Sequence, residues 1–262
     1  MTTSDFIIEL FCRVDDAMPE VTKHPQAKLH PSEVVTLGLL LALKGTSGRA
    51  FHRWAGRAFH RWAGRDLKPL FPDLPHRTRL LRLLLRHHAL TRRFLQAPTL
   101  LAICDSYGIE LLHPMRQGRS AKQIGKKGKS NWRWIIGAKL CLLLNRHGLI
   151  VDWDADTANV HDSTFHPLIT GAGSQSVVLC DAGFCSKAGN PSNLKLCKRG
   201  TWNERMKIET VFSLLTQVCH LKKLSHLTWH HLKARLAFVA ALFNILALWE
   251  GKPKLAIAQF SL

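Results

Sequence analysis

The sequence predicts an α/β fold in which a sheet is flanked by helices and preceded by an all-helical N-terminal region. Three observations carry this. Residues 1–97 space their apolar side chains at helical intervals, whereas from residue 98 strand-length apolar runs take over. Two of those runs, Leu100–Asp105 and Val177–Asp181, each close on an aspartate. Near the end of the chain, Ile208, Phe212, Leu215 and Val218 form one apolar stripe, so residues 202–221 read as an amphipathic helix. Strand, strand, strand, helix, strand, helix is an α/β order. The division falls as 1–97, a helical basic region, and 98–262, the α/β domain with a C-terminal helix.

A chain of 262 residues can bury a substantial core. Its 37 Lys+Arg against 18 Asp+Glu give a formal charge of +19, which calls for a polyanionic partner. The longest apolar runs, 135–144 and 236–249, are interrupted by Lys139 and Asn244 and are too short to span a bilayer. The first residues show no basic stretch followed by an apolar one, so no signal peptide is expected. Nucleic acid is therefore the expected partner, with no membrane and a cytoplasmic location. Seven cysteines without a CxxC pair, several inside apolar runs, read as reduced and mostly buried thiols without a zinc site.

Taken in order, residues 4–18 form a first helix with Ser4 as its cap, and Pro19 and Pro25 mark a loop. Pro31 opens an almost wholly apolar helix that Gly45 closes. Residues 49–56 are repeated identically as 57–64. The repeat stays in helical phase, with Phe51, Trp54, Ala55, Phe59 and Trp62 on one face and Arg49, Arg53, Arg57, Arg61 and Arg65 on another. Two octads are too few for a solenoid and read as a small in-frame duplication. After Pro69, Pro72 and Pro75 comes a very basic helix, Thr78–Gln96. This region reads either as recognition of DNA ends or as a solvated basic face. Beyond it, strands 132–145 and 149–156 flank the turn at 146–148, a helix follows His161, and a last helix runs over 229–249.

The chemistry rests on three carboxylates. An aspartate at the end of a buried strand faces the rim while the strand holds it rigid. Trp202, Arg205 and Glu209 recur at i, i+3 and i+7, one stripe of the amphipathic helix. Asp105, Asp181 and Glu209, from two strand ends and one helix, suit hard divalent cations bound through oxygen. This Asp, Asp, Glu order resembles the DDE transposases of bacterial insertion sequences, over about residues 98–249. The resemblance implies an RNase H-like mixed sheet and two Mg²⁺ or Mn²⁺ ions per site, with Asp105 bridging them and Asp181 and Glu209 completing the set. It implies DNA strand cleavage at element ends and transfer of the freed 3′-hydroxyl to target DNA. It also implies double-stranded DNA partners, namely terminal inverted repeats and target, a homodimer on DNA, and a nucleoid-associated bacterial location.

Two local patterns extend the resemblance. Asn159-Val-His161-Asp162 matches the family's Asn-x-His-Asp, with Asn159 or Asp162 expected to cap the following turn near the site. Trp202-x-x-Arg205-x-x-x-Glu209 is similar to its Tyr-x-x-Arg-x-x-x-Glu-x-x-x-x-x-x-Lys, departing at Trp202 and at Thr216, where lysine is expected. Trp202 and Arg205 are the implied DNA contacts there.

Other carboxylates compete less well. Asp152, Asp154 and Asp156 have calcium-loop spacing, but Thr157 stands where glycine is needed and Ser163 where glutamate belongs. Glu204 is off the Arg205–Glu209 stripe, and Glu110 falls past the expected strand end. Between Leu111 and Val151 there is no acidic residue, but Arg116, Arg119, Lys122, Lys126, Lys127, Lys129, Arg133, Lys139 and Arg146 are basic. Residues 116–131, with three glycines, read as a flexible loop beside Asp105 that holds a phosphate backbone, with Lys126, Lys127, Lys129 and Arg133 as contacts. Trp132 and Trp134 read either as base-stacking or as core residues. The competing functions are a plain metal-dependent nuclease and a non-catalytic DNA-binding protein or inactive transposase copy. The duplicated octad and the two signature departures support the last.

Overall fold

The computed structural model describes residues 2–44, 55–113, 115, 117–118, 124–130, 133–197, 203–222, 224, 226 and 228–260. The first helix, α1 (Thr3–Asp16), is capped by Thr2 and not by Ser4. Thr2-x-x-Asp5 closes a reciprocal capping box, with Asp5 N donating to Thr2 Oγ1 (3.2 Å) and Thr2 N to Asp5 Oδ2 (2.9 Å). Helix α2 (Pro31–Lys44) is buried on nearly every side, as its composition demands. Gly45 and residues 49–54 of the first octad lie outside the described residues. The second octad forms most of α3 (Ala55–Asp66), which buries Phe59 and Ala63. The basic helix is shorter than expected. It is α-helical as α4 (Arg77–His87) and then tightens to a 3₁₀ turn over His88–Phe94. His88 Nδ1 reaches back to the Leu85 carbonyl at this point (2.7 Å).

The second half forms a six-stranded mixed sheet. Strands β1 (Leu101–Leu112), β2 (Lys126–Ser130), β3 (Arg133–Asn145), β4 (Ile150–Thr157), β5 (Val177–Cys180) and β6 (Leu194–Leu196) lie in the order β2-β3-β1-β5-β6, with β4 also on β3. β3 is antiparallel to β1, β2 and β4, and β5 is parallel to both β1 and β6. The mixed α/β class is as the sequence indicates.

Two expectations need correction. β1 does not end at Asp105 but continues seven residues further, because Tyr107, Ile109 and Leu111 resume the inward alternation and pair along β3. Asp105 is thus mid-strand, and Glu110 lies inside the strand. Residues 126–130 are also not loop. They pair with β3 from Lys126↔Gly137 to Ser130↔Arg133, as a lysine-rich edge strand.

Both faces of the sheet are covered. Ile103, Ile109 and Leu111 join the helices' core, including α1, α2, α6 (Met206–Val218) and α7 (Trp229–Ala247). Ala102, Cys104, Cys141, Val178 and Cys180 pack on the other face against Phe165, Phe184 and Ile169 of α5 (His166–Gly171). Two polar residues of α7 tie the halves together. The Asn244 amide accepts from Ile150 N (2.8 Å) and donates to the carbonyls of Ile150 (2.7 Å) and Phe94 (2.9 Å). Arg235, buried and pushed down to about 10 by that burial, donates to the carbonyls of Leu41, Ala42 and Cys219 at the ends of α2 and α6. Among the described residues no helix is long and apolar enough to cross a membrane.

Candidate functional site

The site is built where β1, β5 and α6 meet. The parallel register Ala102↔Val178, Ile103↔Leu179 continues to set Asp105 beside Asp181, one residue past β5. Asp105 Oδ1 accepts from Ser106 N (2.7 Å), and Oδ2 accepts from Arg205 Nη2 (3.2 Å). Burial, and then the charge of Asp181, pushes Asp105 up to about 6, against the Ser106 N–H and the Arg205 charge, which pull it down. Asp181 caps the short turn Ala182–Phe184, its Oδ1 accepting from Gly183 N (2.9 Å). Arg205 immediately precedes α6, and its Nε is buried with no hydrogen-bond partner among the described residues.

Glu209 lies in the first turn of α6 and is exposed. Arg205, Glu209, Phe212 and Thr216 follow one another at spacings of four, three and four, so they share a stripe. That stripe runs along β1: Arg205 meets Asp105, the Phe212 ring stacks on Tyr107 at 5.2 Å, and the Thr216 and Tyr107 hydroxyls meet at 3.4 Å. Glu209 therefore stands between two points of contact with β1, although its carboxylate makes no hydrogen bond or ion pair with a described residue. Trp202 lies outside the described residues.

The Asn-x-His-Asp segment folds differently from expectation. Asn159 is exposed in a turn, and the cap is His161, whose Nδ1 accepts from Ser163 N (3.3 Å). His161 takes the role given to Asn159 or Asp162 because Asp162 is already engaged. Its Oδ1 accepts from Ser106 Oγ (2.7 Å) and Lys139 Nζ (2.9 Å), and Lys139 also donates to the Val160 carbonyl (2.7 Å). Its other oxygen packs on Gly183: a Cβ there would stand 2.7 Å from Asp162 Oδ2 and 3.0 Å from Asp181 Oδ1. A side chain at 183 would make one of the two carboxylates shift. Lys139 is thereby withdrawn from the phosphate-facing set.

The basic hairpin is not beside Asp105. Lys126 pairs with Gly137 and Gly137 with Glu110, five residues along β1, which is roughly 17 Å at strand rise. Lys126, Lys127, Lys129 and Arg133 are exposed there, and Arg133 faces Glu110 at 3.8 Å. Trp134 is 59% exposed, with Lys127 Nζ 5.3 Å above its ring, so it is not a core residue. Arg116, Arg119, Lys122 and Trp132 lie outside the described residues.

Sequence reasoning missed Ser106, Tyr107 and Gly183, and misplaced Lys139. The usable signal was a lone lysine inside an apolar strand run, which implies a buried partner. Ser106 and Tyr107 carried no such mark, because their roles depend on the register of β1.

Among the described residues no three His, Cys, Asp or Glu side chains close into a metal-holding group. Asp105 and Asp181 nonetheless fit Mg²⁺, which takes one or two carboxylates and completes its shell with water and phosphate oxygens. The repulsion that pushes Asp105 up is what a divalent cation relieves. Comparison with known protein families, curated proteins and solved structures gives no match.

Proposed function

We propose that the chain is a metal-dependent DNA phosphoryl-transfer enzyme of the insertion-sequence transposase type, with an RNase H-like core. It would cleave strands at element ends and join the freed 3′-hydroxyl to target DNA. The observation that carries the reading is the Asp105 carboxylate, raised by burial and then by the Asp181 charge, and tied through Arg205 to the helix that bears Glu209.

In this reading Asp105 and Asp181 hold Mg²⁺ or Mn²⁺, and Glu209 closes the set when DNA is bound. Two such ions would supply activation of the attacking oxygen and stabilisation of the departing one. Arg205 keeps Asp105 oriented and offsets part of the carboxylate repulsion. Lys126, Lys127, Lys129 and Arg133 on the β2–β3 edge meet the phosphate backbone, and Trp134 offers a stacking surface. Along the strand direction that edge begins roughly 17 Å from Asp105, at Lys126 and two strands across, which is about five base steps of duplex at ~3.4 Å each. The partners are double-stranded inverted repeats and target DNA, engaged by two copies of the chain in the bacterial cytoplasm at the nucleoid. A non-catalytic DNA-binding protein is the second reading, favoured by the lack of a closed three-ligand group among the described residues.

The test uses labelled duplexes bearing the inverted repeats that flank the gene, incubated with Mg²⁺ or Mn²⁺. Wild type is compared with Asp105→Asn, Asp181→Asn and Glu209→Gln. Metal-dependent nicking at the repeat boundary plus joining into plasmid, lost in all three variants, is the expected result. Nicking without joining leaves a nuclease, and repeat binding without chemistry leaves the second reading.

A further inference from the structure

Far along the chain from the carboxylates, a cavity of about 330 Å³ opens between residues 22–31 and α4. Arg79, Leu83 and Arg86 reach it from one stripe of α4, at i, i+4 and i+7, Lys28 adds a third cation, and the His87 imidazole lies beside them. Among the described residues no Asp or Glu lines it. Lys28, Arg79 and Arg86 form no ion pair or side-chain hydrogen bond with any described residue. Nearby carboxylates are engaged elsewhere: Glu20 pairs with Arg93, and Glu33 accepts from His30 N (2.5 Å). The His87 ring is held below its ordinary value by burial and by the Arg86 charge beside it, as expected where positive charge goes uncompensated. The amino end of α4 borders the cavity at Pro75, and its cap residue His76 caps no first-turn N–H, its Nδ1 meeting the Thr78 hydroxyl instead (3.1 Å).

Size and lining define the ligand. One water takes about 30 Å³, so the cavity is far larger than a bare oxyanion needs, and it reaches the range of small-molecule sites. Three unpaired cations suit a phosphate, and the apolar wall of Leu83, Leu29 and Pro31 suits a sugar or base. We propose that this cavity binds a phosphate carried on a nucleotide unit, free or at the end of a strand. The site is independent of the Asp105–Asp181 reading, since it shares no residue with it.

The experiment is a thermal-shift and calorimetric titration of the full chain. The probes are thymidine 5′-monophosphate, a 5′-phosphorylated tetrathymidylate, inorganic phosphate and unphosphorylated thymidine. Saturable binding of the monophosphate, absent for thymidine, is expected. It should weaken roughly tenfold or more in Arg79→Gln/Arg86→Gln. Both arginines are exposed, so the fold should persist in that variant. Arg82→Gln, which removes one charge from the same helix outside the cavity, should leave it unchanged. Tighter binding of the tetranucleotide assigns the site to strand ends, and equal binding assigns it to free nucleotides. Inorganic phosphate binding as tightly as the monophosphate would overturn the nucleotide assignment. No saturable response to any phosphate probe, or equal weakening in Arg82→Gln, would overturn the site itself.

Discussion

Asp105 and Asp162 are carboxylates buried to the same degree, with 19% and 20% of their side chains exposed, yet their charges are answered differently. Asp162 faces Ser106, on the side of β1 away from α6, and is answered there by a hydroxyl at 2.7 Å and an ammonium at 2.9 Å. Asp105 faces Arg205 at 3.2 Å across a longer contact, and burial first, then the Asp181 charge beside it, pushes it up to about 6. A folded chain fully compensates a buried charge that serves only its architecture. The carboxylate left under-compensated is the one with capacity for a cation. The comparison thus separates a latch from a site, one residue apart on β1.

The largest expected effect breaks the latch. Lys139→Met leaves Asp162 without its counter-ion in a pocket largely closed to water. It should cost about 3–5 kcal/mol in denaturant unfolding. Adding Asp162→Asn should recover part of that loss, giving a coupling energy well above the ~0.5 kcal/mol scatter of independent sites. A cost under ~1 kcal/mol for Lys139→Met would place Asp162 with Asp105 and dissolve the distinction.

Gly183→Ala attacks the join between latch and site. A methyl group there would stand inside both carboxylates' contact distance, so one of them must move. The expected cost is about 1–3 kcal/mol, as for overpacking. Displacement of Asp181 should also abolish any Mg²⁺-induced rise in melting temperature. A stable variant that keeps that rise would show that the turn does not position Asp181.

Asp105→Asn should act in the opposite direction and stabilise the fold. The folded value is raised from 3.8 to about 6, so the protonated form is favoured in the folded state. The sign follows: wild-type stability from this group is fully present below about pH 4 and lost as pH rises through about 6. Asparagine, which can still accept from Arg205, escapes that loss. The ceiling is roughly 3 kcal/mol, and partial exposure reduces it to about 1–2. The two proteins should unfold alike near pH 4 and diverge by pH 7, with the variant the more stable. Saturating Mg²⁺ should reverse the ranking.

The sequence made this site half legible. The aspartates at 105 and 181 stood out because charge at the edge of an apolar run is conspicuous, and the α6 stripe at Ile208, Phe212, Leu215 and Val218 is buried as its spacing required. The extent of β1 was not legible. Gly108 and the polar residues at 105, 106 and 110 interrupt its pattern, and only pairing with β3 fixes twelve residues as strand. For the same reason the lysine-rich 126–130 resembled a loop: an edge strand's order comes from its neighbour's hydrogen bonds, and its own composition resists the assignment. The partnership of Lys139 with Asp162, twenty-three residues apart, is likewise a product of register and invisible to local pattern.

The smallest expected stability effect lies at the far end of β1. Arg133 faces Glu110 at 3.8 Å with 54% of its side chain exposed, so the contact is screened and weak. Arg133→Gln should change unfolding free energy by less than ~1 kcal/mol. On DNA the same substitution should matter more, because a phosphate contact contributes through counter-ion release whatever its value to the fold. The slope of log affinity against log salt for a duplex should become shallower by about one. Removal of Lys127 should add a similar decrement, together with loss of the cation over the exposed Trp134 ring. An unchanged salt slope in both variants would mean that the β2–β3 edge is a solvated rim. The nucleic-acid surface would then have to be sought on the arginine-rich face of α4, where Arg79, Arg82 and Arg86 lie exposed.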